Sequence, residues 1–484
     1  MSDYRLNIDM YKLKAILIFI LLVGLSSSCI KERANDDSEV NVLVIVVDQL
    51  SAEVMSNAGC EWVETPSMDK LAEEGVKFTN AYTSFPLCSP TRASFLTGKY
   101  PSQSHHNVMQ YASFATILKE QDYQTEYIGK WHVGTTRIAK NQEVKAWSGF
   151  EEYSNGDDNY IQKKTVEFLE EKHSKPFLLF TSFMNPHDCC ELARKIGGWD
   201  TRNTFEKGNC VPDLTLPDDH SHLYPHTLED PTMIPEVMRN QQPLPGKNYV
   251  SIRPTGGWNK EDWAQYRHGY AQLVECVDKR IGAIMATLKE QELLDRTVVI
   301  FTSDHGDGLG EHGWNQKLAF YDEIIKVPLI ISAPNGKKGE VSNKLVNIGI
   351  DLFPTVLDFS GISADNAPGQ SLLGVVTGKD EKLDRDFIIS ELDLSLQGLG
   401  TAKVPEGKDL DRLLRYEKAK ARMITDGRFK YIRYNMGDDP EMMFDLKEDP
   451  HETTNLIMND QYADQINIMR NKLKDHLVSI GDDF

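Results

Sequence analysis

The sequence predicts an α/β fold, with a large, mostly parallel or mixed sheet flanked by helices and a small α+β part after it. Three mostly apolar runs, at 41–47, 177–183 and 297–302, are typical of strands buried on both faces. A fourth strand is predicted at 125–128. Polar residues follow each strand, and open α/β sheets bind ligands at the carboxyl ends of their strands. We therefore expect one site that contains Asp48, Lys130, His187 and Asp304.

The length of 484 residues suggests two domains. We predict a larger α/β domain at 40–360 and a C-terminal subdomain with an antiparallel sheet at 361–484. In the larger domain, helices are expected from Thr65-Pro66 and at 114–121, 261–290 and 351–360, and further strands at 76–78 and 327–332. In the subdomain, strands are expected at 387–389, 422–434 and 442–446, with a turn at Asp426-Gly427 and a helix at 461–479.

The stretch 188–260 is rich in Pro, Gly, Asp and His and has little periodicity. It is predicted to be a long surface insertion of the kind that covers a site or shapes its specificity. His220, His222 and His226 raise the hypothesis of a metal site. Scattered histidines in a solvated loop are the simpler interpretation.

The N-terminus has the pattern of an export signal. Lys12 and Lys14 precede an apolar run at 15–25, which is shorter than the ~20 residues that span a bilayer. Ser26-Ser27-Ser28-Cys29 resembles a bacterial lipoprotein cleavage site, with Cys29 as the lipidated first residue and 30–39 as a tether. A plain signal peptide is the alternative, and Met10 is a possible start. We expect a protein of the bacterial periplasm or cell surface that is held to the membrane by lipid.

The composition restricts the partners. Lys plus Arg number 53 and Asp plus Glu 73, giving a net charge of −20, which argues against a nucleic-acid backbone as the partner. Export permits disulfides, and Cys210 is a possible partner of Cys189 or Cys190. The sequence alone leaves this connectivity open.

The segment Cys88-Ser89-Pro90-Thr91-Arg92 is the centre of the predicted site. A helix is expected to start just after the cysteine, and its free N–H groups would favour an anion there. Arg92 adds a fixed positive charge. An isolated segment of this kind is more simply a buried cysteine at a helix start. Within its surroundings at 84–98, however, it resembles the signature of the type I sulfatases, in which the cysteine is oxidised to the aldehyde formylglycine.

Further segments carry the same resemblance across nearly the whole chain after residue 40. Gly129-Lys130-Trp131-His132-Val133-Gly134 is similar to a second sulfatase motif, and the motif at 303–313 is similar to a third. Asn185-Pro186-His187 is a shorter match, and the Asp-Leu and Asp-Pro pairs at 445–450 resemble the family's C-terminal subdomain. The resemblance implies an alkaline phosphatase-like fold. Glu311 and His312 are interpreted as structural support.

The resemblance also implies catalytic roles. A hydroxyl of hydrated formylglycine at Cys88 would attack sulfur, His132 would act as the base that releases sulfate, and His187 would protonate the leaving alcohol. Arg92 and Lys130 would stabilise the diol and the sulfate, and Lys317 would bridge the sulfate and the leaving oxygen.

The implied metal ligands are Asp48, Gln49, Asp304, His305 and an oxygen of the modified Cys88. Gln49 stands where the family commonly has a second aspartate, so one negative charge is lost. Mostly oxygen donors suit Ca²⁺, whereas the nitrogen of His305 leaves Mn²⁺ or another divalent ion open.

The expected activity is removal of sulfate from a sulfated carbohydrate, such as a glycosaminoglycan, mucin glycan or algal glycan. A formylglycine-generating maturase is an implied partner. Two alternatives stay open: a phosphonate monoester or phosphodiester hydrolase of the same superfamily, favoured by the Asp-Gln and Asp-His pairs, and a catalytically dead glycan-binding surface lipoprotein.

Overall fold

The structure is a computed structural model that describes residues 40–138, 141–198, 210–227, 237, 255, 257–380, 383, 385–397, 418–438, 440–482 and 484. The predicted signal peptide at 1–29 and the tether at 30–39 lie outside the described residues. The predicted insertion is described in part.

Within the described residues, eight strands form one large sheet in the order β4-β3-β5-β1-β6-β7-β2-β8. They are β1 Asn41–Asp48, β2 Val76–Tyr82, β3 Gln124–Gly129, β4 Glu152–Ser154, β5 Phe177–Pro186, β6 Thr297–Ser303, β7 Leu329–Ser332 and β8 Glu340–Asn347. β7 is antiparallel to both β6 and β2, and the other pairs are parallel. The predicted α/β class with a mostly parallel sheet is therefore confirmed.

The central strand β1 is buried on both faces, as its unbroken apolar run predicts. Val42, Val44 and Val46 pack into one apolar cluster, and the alternate residues Leu43 and Ile45 pack into another on the opposite face. Successive strand side chains point to opposite faces, so the large sheet has a core on each side.

Helices pack on both faces of the large sheet and complete these two cores. They are α1 Pro66–Glu73, α2 Cys88–Thr97, α3 Pro101–Ser104, α4 Phe114–Glu120, α5 Gln142–Ser148, α6 Asp158–Glu170, α7 Cys189–Ile196, α8 Lys260–Glu290, α9 Asp322–Ile325, α10 Ile348–Phe359, α11 Leu373–Thr377 and α12 Ala463–Ile480. The long helix α8 starts at a capping box of Asn259 and Asp262. Its apolar stripe, including Tyr266, Tyr270 and Leu273, packs on the face that β1 offers through Leu43.

The described part of the chain after residue 385 builds a second, antiparallel sheet in the order β12-β11-β10-β9. Its strands are β9 Ile388–Asp393, β10 Lys420–Thr425, β11 Phe429–Tyr434 and β12 Glu441–Asp445. One face of this sheet packs against α12, and the other packs against the segment 318–325 of the larger unit. Leu372, Val376 and Leu383, which lie beyond residue 361, still pack in the core of the large sheet.

The sequence did not predict several exposed or polar elements. β8 has five polar residues among its eight and is exposed along much of its length, and β4 is only three residues long. The helices α3, α5, α6, α7, α9 and α11 are also absent from the prediction. Thr65 precedes α1 as expected, but its hydroxyl accepts a hydrogen bond from the backbone N–H of Ser56 at 2.9 Å and does not cap the helix.

The suggested pairing of Cys210 with Cys189 or Cys190 is wrong. Cys210 forms a disulfide with Cys276 on α8, while Cys189 and Cys190 are free thiols at the start of α7. Cys276 lies on α8, 66 positions from Cys210 in sequence. The two cysteines meet only because the insertion packs against α8, which the sequence pattern does not show. Among the described residues, no helix combines the length and the apolar character needed to cross a membrane.

Candidate active site

The carboxyl ends of four neighbouring strands bring the predicted residues together. β3, β5, β1 and β6 are adjacent in the sheet, and they are parallel, so their ends meet at one edge. Lys130 follows β3, His187 follows β5, and Asp304 follows β6, while Asp48 is the last residue of β1. The site lies at this edge, where Cys88 enters from α2.

Cys88 is the first residue of α2, so the helix begins at the cysteine and not just after it as expected, and Cys88 is buried, with 2% of its surface exposed. Its Sγ lies 3.2 Å from Nδ1 of His132. Burial alone would raise the pKa of the Cys88 thiol, but the nearby charges of Lys317, His132 and Lys130 hold it well below its ordinary value. The same positive field would favour any anion formed at this position.

Four of the predicted metal ligands form one cluster. The ligand atoms of Asp48, Cys88, Asp304 and His305 all lie within 4.8 Å of one another, and all four residues are buried. It is the one group of potential metal ligands found among the described residues.

Unpaired atoms within the cluster match what a bound cation needs. Oδ1 of Asp48 and Nε2 of His305 are buried and have no hydrogen-bond partner among the described residues. His305 Nδ1 lies 2.8 Å from the carbonyl oxygen of Gly306, and donating a proton to that oxygen would leave the Nε2 lone pair free to bind a cation. Two carboxylates and an imidazole therefore fit a divalent ion.

Gln49 follows Asp48 with a left-handed backbone (φ 72°). Its Nε2 donates to Oδ2 of Asp307 at 2.7 Å and approaches Sγ of Cys189 at 3.2 Å. Its Oε1 lies 3.3 Å from Nζ of Lys317. The amide oxygen thus faces Lys317, and its predicted role as a metal ligand stays a prediction.

The sequence did not single out Asp307, which fixes the orientation of Gln49. Its buried carboxylate also accepts hydrogen bonds from the hydroxyl of Tyr266 at 2.9 Å and from the backbone N–H of Leu309 at 2.9 Å. The only available signal was one further acidic residue three positions after Asp304. A single acidic residue in a glycine-rich loop is too common to be informative by itself.

Arg92 is directed toward the carboxylates of the cluster. Its Nε donates to Asp304 at 2.7 Å and its Nη2 to Asp48 at 3.1 Å, and the side chain is 1% exposed. Its Nη1 donates to the carbonyl oxygen of Lys130 and to Ser182. Lys130 Nζ also binds Asp48, at 2.5 Å. Arg92 thus holds two predicted metal ligands in place, and a role toward the sulfate remains a prediction.

His187 and Lys317 carry opposite pKa shifts. Burial, together with repulsion from Lys130 and Lys317, lowers the pKa of His187 well below its usual value. Burial would lower the pKa of Lys317, but Cys88, Cys190 and Asp48 raise it, so Lys317 stays charged. An anionic group placed between them would favour protonation of His187 again, as its predicted role as an acid requires.

Glu311 anchors part of the insertion beside the site, in line with its predicted supporting role. Its carboxylate accepts hydrogen bonds from the backbone N–H groups of His226 and Thr227, each at 3.0 Å, and from the Thr227 hydroxyl at 2.7 Å. It also forms a buried ion pair with Arg267 of α8. In the described part of the chain, His220, His222 and His226 do not form a metal-binding group.

Comparisons with known proteins agree with this geometry. A family model described as Sulfatase matches residues 40–362. The chain is 26% identical to a Delta 4,5-hexuronate-2-O-sulfatase of Bacteroides thetaiotaomicron, over 93% of this chain and 91% of that protein.

Solved structures share the fold. The structure of a 2-O GAG sulfatase superposes with a TM-score of 0.73 and 24% identity, over 92% of this chain and 93% of the other. The phosphonate monoester hydrolase of Agrobacterium radiobacter superposes with a TM-score of 0.69 and 22% identity, over 91% and 96%. At these identities the superpositions support the fold alone.

Proposed function

The chain belongs to the sulfatase family, and from this premise we propose that it hydrolyses sulfate monoesters of a sulfated carbohydrate. The observation that carries the proposal is the position of Cys88, whose Sγ lies beside His132 and within the cluster of Asp48, Asp304 and His305. A hexuronate 2-O-sulfatase among the relatives supports a carbohydrate substrate.

The modified side chain at position 88 would supply the nucleophile, as family membership implies. His132 Nδ1 lies 3.2 Å from the Cys88 Sγ, a distance that supports a role for His132 as the base that takes a proton from a hydroxyl at this position. In the protein described here, Sγ occupies the place of the oxygen that the modification would introduce. A formylglycine-generating maturase is therefore a proposed partner.

Asp48, Asp304 and His305 would hold the divalent cation, with Gln49 and position 88 as further ligands. A cation there would polarise the sulfate and lower the pKa of a bound hydroxyl. Ca²⁺ is our first choice because most of these donors are oxygens, and Mn²⁺ also fits the imidazole of His305. Arg92 and Lys130 would keep the carboxylates ionised and correctly placed.

Lys317 and His187 would act on the leaving group. Lys317 remains protonated, and its Nζ lies 3.3 Å from the amide oxygen of Gln49. This ammonium group would bind the sulfate and the leaving oxygen together. His187 would protonate the departing alcohol once the anionic substrate has raised its pKa. Both residues would thereby stabilise the charge that develops as the ester bond breaks.

The test is sulfate release from a panel of sulfated mono- and disaccharides by protein co-expressed with a maturase. Mass spectrometry of the peptide containing position 88 should show the mass decrease from cysteine to formylglycine. Fully active protein with an unmodified Cys88 would contradict the proposed nucleophile.

A phosphonate monoester or phosphodiester hydrolase is the second candidate. Gln49 in place of a second acidic residue favours it, as does the shared fold with a phosphonate monoester hydrolase. Rates measured side by side on a sulfate ester and a phosphonate monoester with the same leaving group would decide between the two.

We also propose that residues 1–29 direct export, that Cys29 carries a lipid anchor, and that 30–39 form a tether. Residues 40–360 would be the catalytic domain, with the insertion at 188–260, and 361–484 the C-terminal subdomain. The N-terminal sequence pattern supports the anchor. A Cys29→Ala variant that fractionates with membranes as the parent protein does would contradict it.

A further inference from the structure

A cleft opens directly beside the candidate catalytic residues. It has a volume of about 440 Å³, within the range of small-molecule sites. Its lining includes Lys130 and His132, and the side chains of Trp131, Ile138, Tyr153 and Met184 make much of the wall apolar. An apolar wall with aromatic rings and a few polar groups suits the faces of a sugar ring.

The loop on one side of this cleft is fixed to the helix that carries Cys88. The backbone N–H of Gly134 donates to the carbonyl oxygen of Ser89 at 3.1 Å, and the Ser89 hydroxyl donates to the carbonyl oxygen of Gly134 at 2.8 Å. A Cβ at Gly134 would lie 2.6 Å from the carbonyl oxygen of His105, so this close approach requires glycine. Ser89, the residue that follows Cys88, therefore holds this loop in position through Gly134.

Arg137 lies three residues after Gly134 and lines the same cleft. Its side chain is exposed, and it has no hydrogen bond or ion pair with any of the described residues. By contrast, Arg92 is fully engaged with the carboxylates of the cluster, and Lys130 is bound to Asp48. Arg137 is therefore a cation of the cleft wall that is available to a ligand, in a chain with a net charge of −20.

We infer that this cleft binds the sugar of the substrate and that Arg137 recognises a second anionic group on it, either a carboxylate or a second sulfate. This inference rests on the proposed function, because it assumes a sulfated sugar at Cys88. The planar guanidinium can donate two parallel hydrogen bonds to either oxyanion. Arg137 would then determine specificity without taking part in the reaction at position 88.

The test uses glucose, glucuronate and glucose 6-sulfate as ligands of the full, formylglycine-containing protein. Each sugar is measured as an inhibitor of 4-methylumbelliferyl sulfate hydrolysis, and its direct binding is followed by calorimetry. The parent protein is compared with Arg137→Gln and with Lys163→Gln, a control that removes an exposed cation on α6, 72% exposed. We expect at least one anionic sugar to bind the parent and the control about tenfold more tightly than glucose, and Arg137→Gln to lose this preference.

Which anionic sugar shows the preference identifies the carboxylate or the sulfate as the recognised group. The inference is overturned if Arg137→Gln keeps the preference, or if the parent protein binds glucose as tightly as both anionic sugars. Calorimetry separates this result from a failure of the proposed function. If the parent does not hydrolyse the aryl sulfate but still shows an Arg137-dependent preference, the proposed function fails and the anion site stands.

Discussion

The amide nitrogen of Gln49 lies 2.7 Å from a carboxylate oxygen of Asp307, and both side chains are fully buried. Asp307 therefore sets which end of the Gln49 amide faces the catalytic cluster. Asp307 is not one of the four residues of the cluster, so its carboxylate acts on the site through the orientation of Gln49. Partners of this kind commonly affect metal affinity or activity 10–100-fold.

Exchanging the two residues tests this relationship. Gln49→Asp alone would bring two buried carboxylates into contact, and Asp307→Asn alone would remove the acceptor for Nε2 of Gln49, so each change should lower Ca²⁺ affinity and kcat/KM about 10–100-fold. The double variant restores a complementary pair and should recover part of the loss. Calorimetry with Ca²⁺ and steady-state kinetics measure the two effects, and purely additive losses in the double variant would contradict this pairing.

Replacing Cys88 should abolish the reaction but leave the fold. Cys88→Ala removes the proposed nucleophile, so sulfate release should fall at least about a thousandfold. Ion chromatography measures free sulfate, and circular dichroism checks the fold. Cys60→Ala is the matched control because Cys60 is a free cysteine outside the cluster. Unimpaired turnover by Cys88→Ala would rule out a covalent role for position 88.

Lys317 should matter most for poor leaving groups. Its ammonium lies beside Gln49 and, in the proposed arrangement, stabilises charge on the leaving oxygen. Lys317→Ala should therefore lower kcat/KM by about 10²-fold or more on a sugar sulfate and much less on 4-nitrophenyl sulfate. Kinetics on both esters test this directly. An equal loss on the two substrates would exclude a role at the leaving oxygen.

Removing a bound cation should reduce both activity and stability. Chelation would leave the buried carboxylates of Asp48 and Asp304 paired with Arg92 and Lys130 but without the cation. A cation present at 100 times its Kd should contribute about 2.7 kcal/mol to the free energy of unfolding. Thermal unfolding with EDTA, and after addition of Ca²⁺ or Mn²⁺, measures this contribution. A melting temperature and activity that EDTA does not change would argue against the metal site.

Glu311 should make stability depend on pH in the acid range. Burial alone would raise its pKa, but Arg267, Thr227 and the N–H of His226 lower it to about 2 in the folded protein, from an ordinary value near 4.5. Its contribution, on the order of 3 kcal/mol, is present above pH 4.5 and lost as pH falls toward 2. Glu311→Gln should remove this contribution at pH 7 and flatten the pH dependence of denaturant unfolding between those values. An unchanged slope in that window would contradict the assignment.

The strands at the centre of the sheet and the cluster at their ends could be predicted from the sequence. β1 is buried on both faces, so its apolar run is unbroken, and the polar residues that follow it are conspicuous. The edge strand β8 is partly exposed to solvent, so polar residues are tolerated along it and its sequence contains no apolar run. The motifs identify Arg92 but not its partners. Arg92 is more than 40 positions from Asp48 in sequence and more than 200 from Asp304, so these contacts form only in the folded protein. Asp307 and the pairing of Cys210 with Cys276 likewise depend on tertiary proximity.

The stretch 210–227 is attached to the rest of the molecule at both of its ends. At one end Cys210 is bonded to Cys276 of α8, and at the other His226 and Thr227 are held by Glu311. Between the two attachments, Asp213 is hydrogen-bonded to Gln272 of α8 and Leu223 is buried, so the stretch also contacts the scaffold along its length. Engineering of this stretch can therefore vary the exposed positions 217–219 and 221–222, while Leu223 and the two attachments are kept.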